Sequence, residues 1–125
     1  YHGIVRGDRK RSLLREAQVF VLPTYYPYEG QPIALLEAMA SGCVIIATEQ
    51  GGIGDVFVSP ASGITVPPHD SSAIRKAIEK ILGMSEEERT AIGLYNARYA
   101  RTHFTAQAHR ERLIDVLEAA RTDAK

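Results

Sequence analysis

The sequence predicts an α/β fold, a Rossmann-like open parallel sheet with helices on both faces and a C-terminal helical tail. Three observations carry that expectation. Short apolar runs rich in β-branched residues recur along the first half of the chain: "VFVLP" (19–23), "CVIIAT" (43–48) and "GITVPP" (63–68). Segments with helical spacing separate them, as in a parallel sheet whose strands are joined by helical crossovers. Beyond residue 83 only helical spacing remains.

Taken in order, "HGIV" (2–5) reads as a short strand running into the turn-prone "RGD". A helix is expected from about Asp8, with Leu13, Leu14 and Ala17 on one face. "VFVLP" then reads as a buried strand stopped by its proline. The loop "TYYPYE" (24–29) leads to a helix starting at Pro32, because a missing N–H costs nothing at the first helical position. Gly42 suits the left-handed terminator of that helix. "CVIIAT" is the next buried strand, "EQGGIGD" (49–55) a glycine-rich loop, and "GITVPP" contains one more strand. Asp70 or Ser71 caps a helix whose apolar face is Ile74, Ala77, Ile78, Ile81 and Leu82. Ser85 and Glu88 have capping-box spacing and open another helix. Phe104 and Thr105 interrupt the pattern, and a last amphipathic helix carries Leu113, Val116, Leu117 and Ala120. This divides the chain into a Rossmann-like part, about 1–83, and terminal helices, about 84–125.

The 125 residues suit one domain or a large piece of one. The chain opens without Met and within an apparent strand, so it is expected to be a piece of something longer. Fifteen basic residues balance fifteen acidic ones. A nucleic acid backbone or an anionic membrane therefore meets no bulk attraction, and an anion must be held by local geometry. Cys43 is the single cysteine, which excludes an internal disulfide framework and a thiolate metal cluster. Between Gly42 and "VIIA" it reads as a small buried residue, and a reducing cytoplasm is the expected compartment. No apolar run approaches the roughly 20 residues that span a bilayer. His2, His69, His103 and His109 lack metal-ligand spacing, so no metal site is expected.

The stretch "YEGQPIALLEAMASG" (28–42) holds the candidate site. In an open parallel sheet, ligands bind where loops leave the carboxyl ends of strands and feed helix N-termini. The loop after "VFVLP" has that place. The helix behind it points free N–H groups and its positive dipole end outward, a site for phosphate without any basic residue. Pro32 has no N–H, so the donors are Gly30, Gln31, Ile33 and Ala34, with Gly30 permitting close approach. Glu29 precedes the helix and Glu37 lies within it, and carboxylates accept paired hydrogen bonds from vicinal hydroxyls. Sugar, phosphate and ribose in sequence would fit: a sugar nucleotide. Two solvated carboxylates on a surface helix is the competing reading of the same spacing. Against it, Glu37 lies among Leu35, Leu36, Ala38, Met39 and Ala40, where a charge needs a partner.

"VFVLPTYYPYEGQPIALLEAMASGCVIIATEQGGIGDVF" resembles the C-terminal domain of retaining family-4 glycosyltransferases, which have the two-domain GT-B architecture. The likeness includes two glutamates separated by seven residues, the "EAMA.G" run, the "GG" loop and "GITVPP.D", and spans most of residues 2–82. The resemblance implies that Glu29 contacts the transferred sugar, that the amides from Gly30 to Ala34 hold the diphosphate, and that Glu37 binds the ribose hydroxyls. It places the backbone of Val5 at the nucleobase and Lys10 near the base or phosphates. It further implies retention at the anomeric carbon, no metal and no cofactor beyond the nucleotide-sugar donor. An acceptor glycan or glycolipid would be bound mainly by an N-terminal domain, with peripheral membrane contact of the parent at the inner face. "YYPYEGQP" is similar to enzymes of bacterial cell-surface polysaccharide assembly, which favours a UDP-sugar over a GDP-sugar.

Two departures from the family stand out. Tyr25, Tyr26 and Tyr28 lengthen the path to the first glutamate, as loop packing or as sugar-stacking platforms. The basic pair that usually clamps the diphosphate lies upstream of this sequence. A sugar-nucleotide 2-epimerase would share the donor pocket, and a non-catalytic nucleotide-binding module would keep it as a vestige. "GGIGD" lacks the spacing of a dinucleotide fingerprint, and "RGD" reads as a turn. A hydrolase pair of Glu29 and Glu37 would leave the helix-start anion site without a purpose.

Overall fold

The computed structural model describes residues 1–123; of the tail predicted over 84–125, the last two residues lie outside them. Strands β1 (Val19–Leu22), β2 (Val44–Ala47) and β3 (Gly63–Thr65) form one sheet in the order β1-β2-β3. Both pairings are parallel, with Val19 opposite Val44 and Ile46 opposite Ile64. Helices α1 (Gly7–Glu16), α2 (Ile33–Ala40) and α3 (Ser71–Leu82) accompany the strands, followed by α4 (Glu86–His103) and α5 (Ala106–Asp123).

The central strand explains the layering. All four residues of β2 are buried, and successive side chains point to opposite faces. Val44 and Ile46 pack with Ala77 and Ile81 of α3. Ile45 and Ala47 pack on the other face with Leu35, Ala38 and Met39 of α2 and Ala100 of α4. The α/β fold with helices on both faces is therefore the one expected from the sequence.

Local chemistry sets the helix ends. The Asp70 carboxylate accepts from the Ala73 N–H at 2.8 Å, and Ser85 and Glu88 complete their reciprocal cap. Gly42 lies just beyond α2 with φ 87°, the left-handed position anticipated for it. Helix α4 docks against that turn: a Cβ on Gly93 would stand 2.4 Å from the Gly42 carbonyl oxygen. Three residues later the buried Asn96 amide donates to the carbonyls of Cys43 at 2.8 Å and Ser62 at 2.9 Å. These carbonyls precede β2 and β3, so one side chain ties α4 to the amino ends of two strands. Helix α4 is thus part of the layered body, and α5 leaves it with Leu113, Val116 and Leu117 exposed by 51%, 65% and 61%.

Several expectations are corrected. Residues 2–5 form no strand, because among the described residues none runs beside them to share backbone hydrogen bonds. β1 is half-buried rather than buried, since it forms an edge of the sheet and Val21 is exposed. In α3 the buried residues are Ala77 and Ile81, while Leu82 faces outward. Cys43 is buried as expected: its Sγ lies 3.4 Å from the Ala17 carbonyl, and burial pushes the thiol pKa up. A thiol held neutral in this way is a poor nucleophile.

Candidate functional site

The site is assembled from loops that leave the carboxyl ends of the three strands. After β1, the chain is fixed at Thr24, whose carbonyl accepts from the buried Thr48 hydroxyl beyond β2. The Thr24 hydroxyl in turn accepts from the Tyr26 N–H at 3.2 Å. A turn follows in which the Glu29 N–H donates to the Tyr26 carbonyl at 3.2 Å. The Glu29 carbonyl then accepts from the Gly52 N–H at 2.7 Å. This last bond belongs to an intimate backbone contact. A Cβ on Gly52 would lie 2.9 Å from the Gly30 carbonyl oxygen, so the glycine pair of the second loop is the bed on which Glu29 and Gly30 rest.

Helix α2 begins immediately after. Pro32 is its N-cap, with φ −66° and no side-chain cap. The Pro32 carbonyl takes the N–H groups of Leu35 and Leu36 at 3.0 and 3.2 Å. Among the described residues, no carbonyl or side chain takes the N–H of Gly30, Gln31, Ile33 or Ala34. All four residues are exposed. The helix start thus offers unpaired donors and the positive end of its dipole to solvent, which suits an anion such as phosphate. Open space around Gly30 leaves its backbone approachable.

Glu29 and Glu37 flank this helix start in the chain, and both are partly exposed. Glu37 is less enclosed than its apolar neighbours imply, because Leu35, Ala38 and Met39 take the inner face of α2 and leave it on the flank. It has the partner expected of it. Lys10 Nζ of α1 donates to Glu37 Oε1 at 2.6 Å, with the two side chains 39% and 36% exposed. The pair borders a cavity of about 320 Å³ between α1 and α2, floored by Leu14 and Ala40. Val5 is half-buried just ahead of α1.

The tyrosines form an exposed aromatic rim. Tyr25 packs on His69 with ring centroids 4.4 Å apart, and Tyr26 meets Tyr28 edge to face at 5.8 Å. The Tyr25–His69 contact, the Lys10–Glu37 pair and the seating of Glu29 on Gly51 and Gly52 were not visible in the sequence. Each joins residues distant along the chain, and none has a spacing signature. Among the described residues, no group of three or more His, Cys, Asp or Glu side chains is arranged to hold a metal ion. No helix among them is long and apolar enough to cross a membrane.

Comparison with known proteins bears on the family and the fold. Residues 1–99 match the family model described as glycosyl transferases group 1. The chain is 31% identical over 120 residues to the amylovoran biosynthesis glycosyltransferase AmsK of Erwinia amylovora, covering 93% of this chain and 29% of that protein. It is 32% identical over 80 residues to the uncharacterized glycosyltransferase MJ1607 of Methanocaldococcus jannaschii, covering 64% of this chain and 20% of that one. Among solved structures, sucrose-phosphate synthase from Thermosynechococcus elongatus superposes with a TM-score of 0.72 at 30% identity, over 86% of this chain and 27% of the synthase. The chain therefore spans less than a third of the length of these relatives. With a fold of the GT-B glycosyltransferase kind and a family match over most of its length, the chain belongs to the glycosyl transferases group 1 family.

Proposed function

We propose that this chain is the C-terminal donor-binding part of a retaining, family-4 glycosyltransferase that moves a sugar from a nucleotide donor to an acceptor. The observation that carries the reading is the uncapped start of α2 at the carboxyl end of β1, with Glu29 and Glu37 on either side of it. The diphosphate gains negative charge as the bond to the sugar breaks. The amides of Gly30, Gln31, Ile33 and Ala34, already aimed at solvent, would stabilise that charge without reorganising. Glu29 orients the transferred sugar, and Glu37 anchors the ribose. Val5 and Lys10 lie toward the nucleobase side. No metal or further cofactor is needed, since helix-start amides and basic groups of the rest of the parent neutralise the leaving group. The donor is a UDP-sugar in preference to a GDP-sugar. The acceptor is a glycan or glycolipid held mainly by the rest of the parent, in the assembly of a cell-surface polysaccharide; the Erwinia relative is named for amylovoran biosynthesis.

Titration of this chain with UDP, GDP and ADP tests the binding half of the proposal. One nucleotide, expected to be UDP, should shift the amide resonances of Gly30, Gln31, Ile33 and Ala34 at millimolar concentration. Affinity stays weak because a charged hydrogen bond contributes roughly 1.5–3 kcal/mol and the basic groups of the parent are missing. Shifts confined to other residues would sink the reading.

Steady-state kinetics of the parent enzyme separates the two glutamates. If Glu37 holds ribose equally in ground and transition states, Glu37→Gln raises the donor KM and leaves kcat near its starting value. Glu29 faces a sugar whose charge and ring shape change during reaction. Glu29→Gln should lower kcat by roughly tenfold, the equivalent of about 1.4 kcal/mol. The opposite split would reverse the roles, and no change in either would favour two solvated surface carboxylates.

A further inference from the structure

We infer that Lys10 is a positioning residue for Glu37 and thereby sets discrimination between ribose and 2′-deoxyribose, an inference that rests on the donor-site reading above. Family resemblance places Lys10 near the base or phosphates; the structure adds a contact that the resemblance does not name. Its ammonium donates to Glu37 Oε1 at 2.6 Å, across two helices and 27 positions of sequence. A glutamate on the flank of a helix has three side-chain torsions to fix, and an exposed one samples many rotamers. Lys10 occupies one carboxylate oxygen and holds the group in one orientation. The second oxygen and the remaining lone pairs stay available to a ligand.

The surroundings favour orientation over simple surface pairing. Both side chains are a little more than one third exposed, so the pair is neither buried nor a free surface contact. It forms part of the wall of the 320 Å³ cavity, whose apolar patch is Leu14 and Ala40 and whose other polar wall includes Arg11. Arg11 is engaged with Asp8 on its own helix, which leaves Lys10 to serve Glu37. Glu37 also lies only one turn beyond Ile33, the first residue of α2, so a carboxylate fixed there stands beside the helix-start donors. A ligand with vicinal hydroxyls next to a diphosphate would meet an acceptor already in place, and would not bear the entropy cost of ordering it. A carboxylate accepts from both hydroxyls of a ribose and from only one of a 2′-deoxyribose. Discrimination between them depends on that orientation.

The test compares UDP with 2′-deoxy-UDP on this chain, followed by amide shifts. Wild type should favour UDP by roughly tenfold, the worth of one hydrogen bond to a charged group. Lys10→Met keeps the aliphatic stem and removes the ammonium; the UDP preference should fall to about twofold or less, with little loss in 2′-deoxy-UDP affinity. Lys10→Arg should restore most of the preference. Adding Lys10→Met to Glu37→Gln should remove nothing more, since both act on one carboxylate. Equal weakening of both nucleotides by Lys10→Met would make Lys10 a direct base or phosphate contact and overturn the inference. An unchanged preference would overturn it too. If UDP, GDP and ADP all fail to shift Gly30 to Ala34 in wild type, the donor-site reading falls first and this inference falls with it.

Discussion

Replacing Asn96 with leucine should destabilise this chain by about 2–3 kcal/mol, although the two side chains are similar in size. The Asn96 amide is fully buried and donates to the carbonyls of both Cys43 and Ser62. Leucine cannot donate. The Ser62 carbonyl keeps the N–H of Ile45 at 3.1 Å, so the heavier loss falls at Cys43. One term works the other way: Asn96 Oδ1 has no partner among the described residues, and leucine removes that buried acceptor. The net loss still favours the native residue, because leaving a buried carbonyl without its donor costs roughly 1–3 kcal/mol. For a chain of this size the midpoint of thermal unfolding should fall by about 10 °C. Asn96→Asp, which keeps the shape and turns a donor into an acceptor, should fall further. A leucine variant melting within about 2 °C of wild type would show that α4 does not depend on this clamp. Below its midpoint the leucine variant should still respond to nucleotide at Gly30 to Ala34, since Asn96 acts at the amino end of the sheet and the candidate site lies at the carboxyl end.

How far these features can be read from sequence depends on the range of the forces behind them. "CVIIAT" reads correctly because a strand buried on both faces must be apolar at every position, as β2 is. The cap at Asp70 and the capping box at Ser85 are local, so spacing suffices. "HGIV" has strand composition, but a strand exists only with a neighbour, and composition does not report one. The same limit made β1 look buried. In α4, Asn96 sits in a helix with no strong apolar stripe, where a polar residue reads as solvent-facing; its two carbonyl partners lie 53 and 34 positions away. At the site, the helix start, both glutamates and the role of Gly42 follow from local chemistry. Lys10 enters the sequence reading only through the resemblance, as a neighbour of the base or phosphates, and its engagement of Glu37 requires α1 and α2 to be packed together. Glycines 51 and 52 read as part of a glycine-rich loop, while in the structure they are a constraint.

That constraint gives the largest functional effect expected of a single methyl group. Gly51 has φ 51°, in the left-handed region where a Cβ costs roughly 1–2 kcal/mol. Backbone strain is the smaller problem. An alanine Cβ there would stand 2.0 Å from the Glu29 carbonyl oxygen and 2.9 Å from its carbon, and a backbone atom cannot turn aside as a side-chain tip can. The two loops must separate, and the Gly52–Glu29 hydrogen bond goes with them. The Glu29 carboxylate and the Gly30 amide then move by roughly an ångström, a misplacement of the size that costs about a hundredfold in rate when a group acts on the reacting centre. If Glu29 orients the transferred sugar as proposed, Gly51→Ala should lower kcat of the parent protein by about two orders of magnitude. The donor KM should change much less, because Glu37 and the amides of Ile33 and Ala34 belong to α2 and do not rest on the glycine pair. Gly54→Ala supplies the control from the same loop: its φ is −60° and its Cβ would meet only the Glu49 side chain, at 3.9 Å. That variant should retain near-wild-type turnover. Global melting should move far less in Gly51→Ala than in Asn96→Leu, since Gly51 is exposed and lies outside the core. Turnover of Gly51→Ala within about threefold of wild type, with the amide signals of Glu29 and Gly30 unshifted, would mean that the glycine bed does not position the Glu29 carboxylate, and the role proposed for Glu29 would lose its structural support.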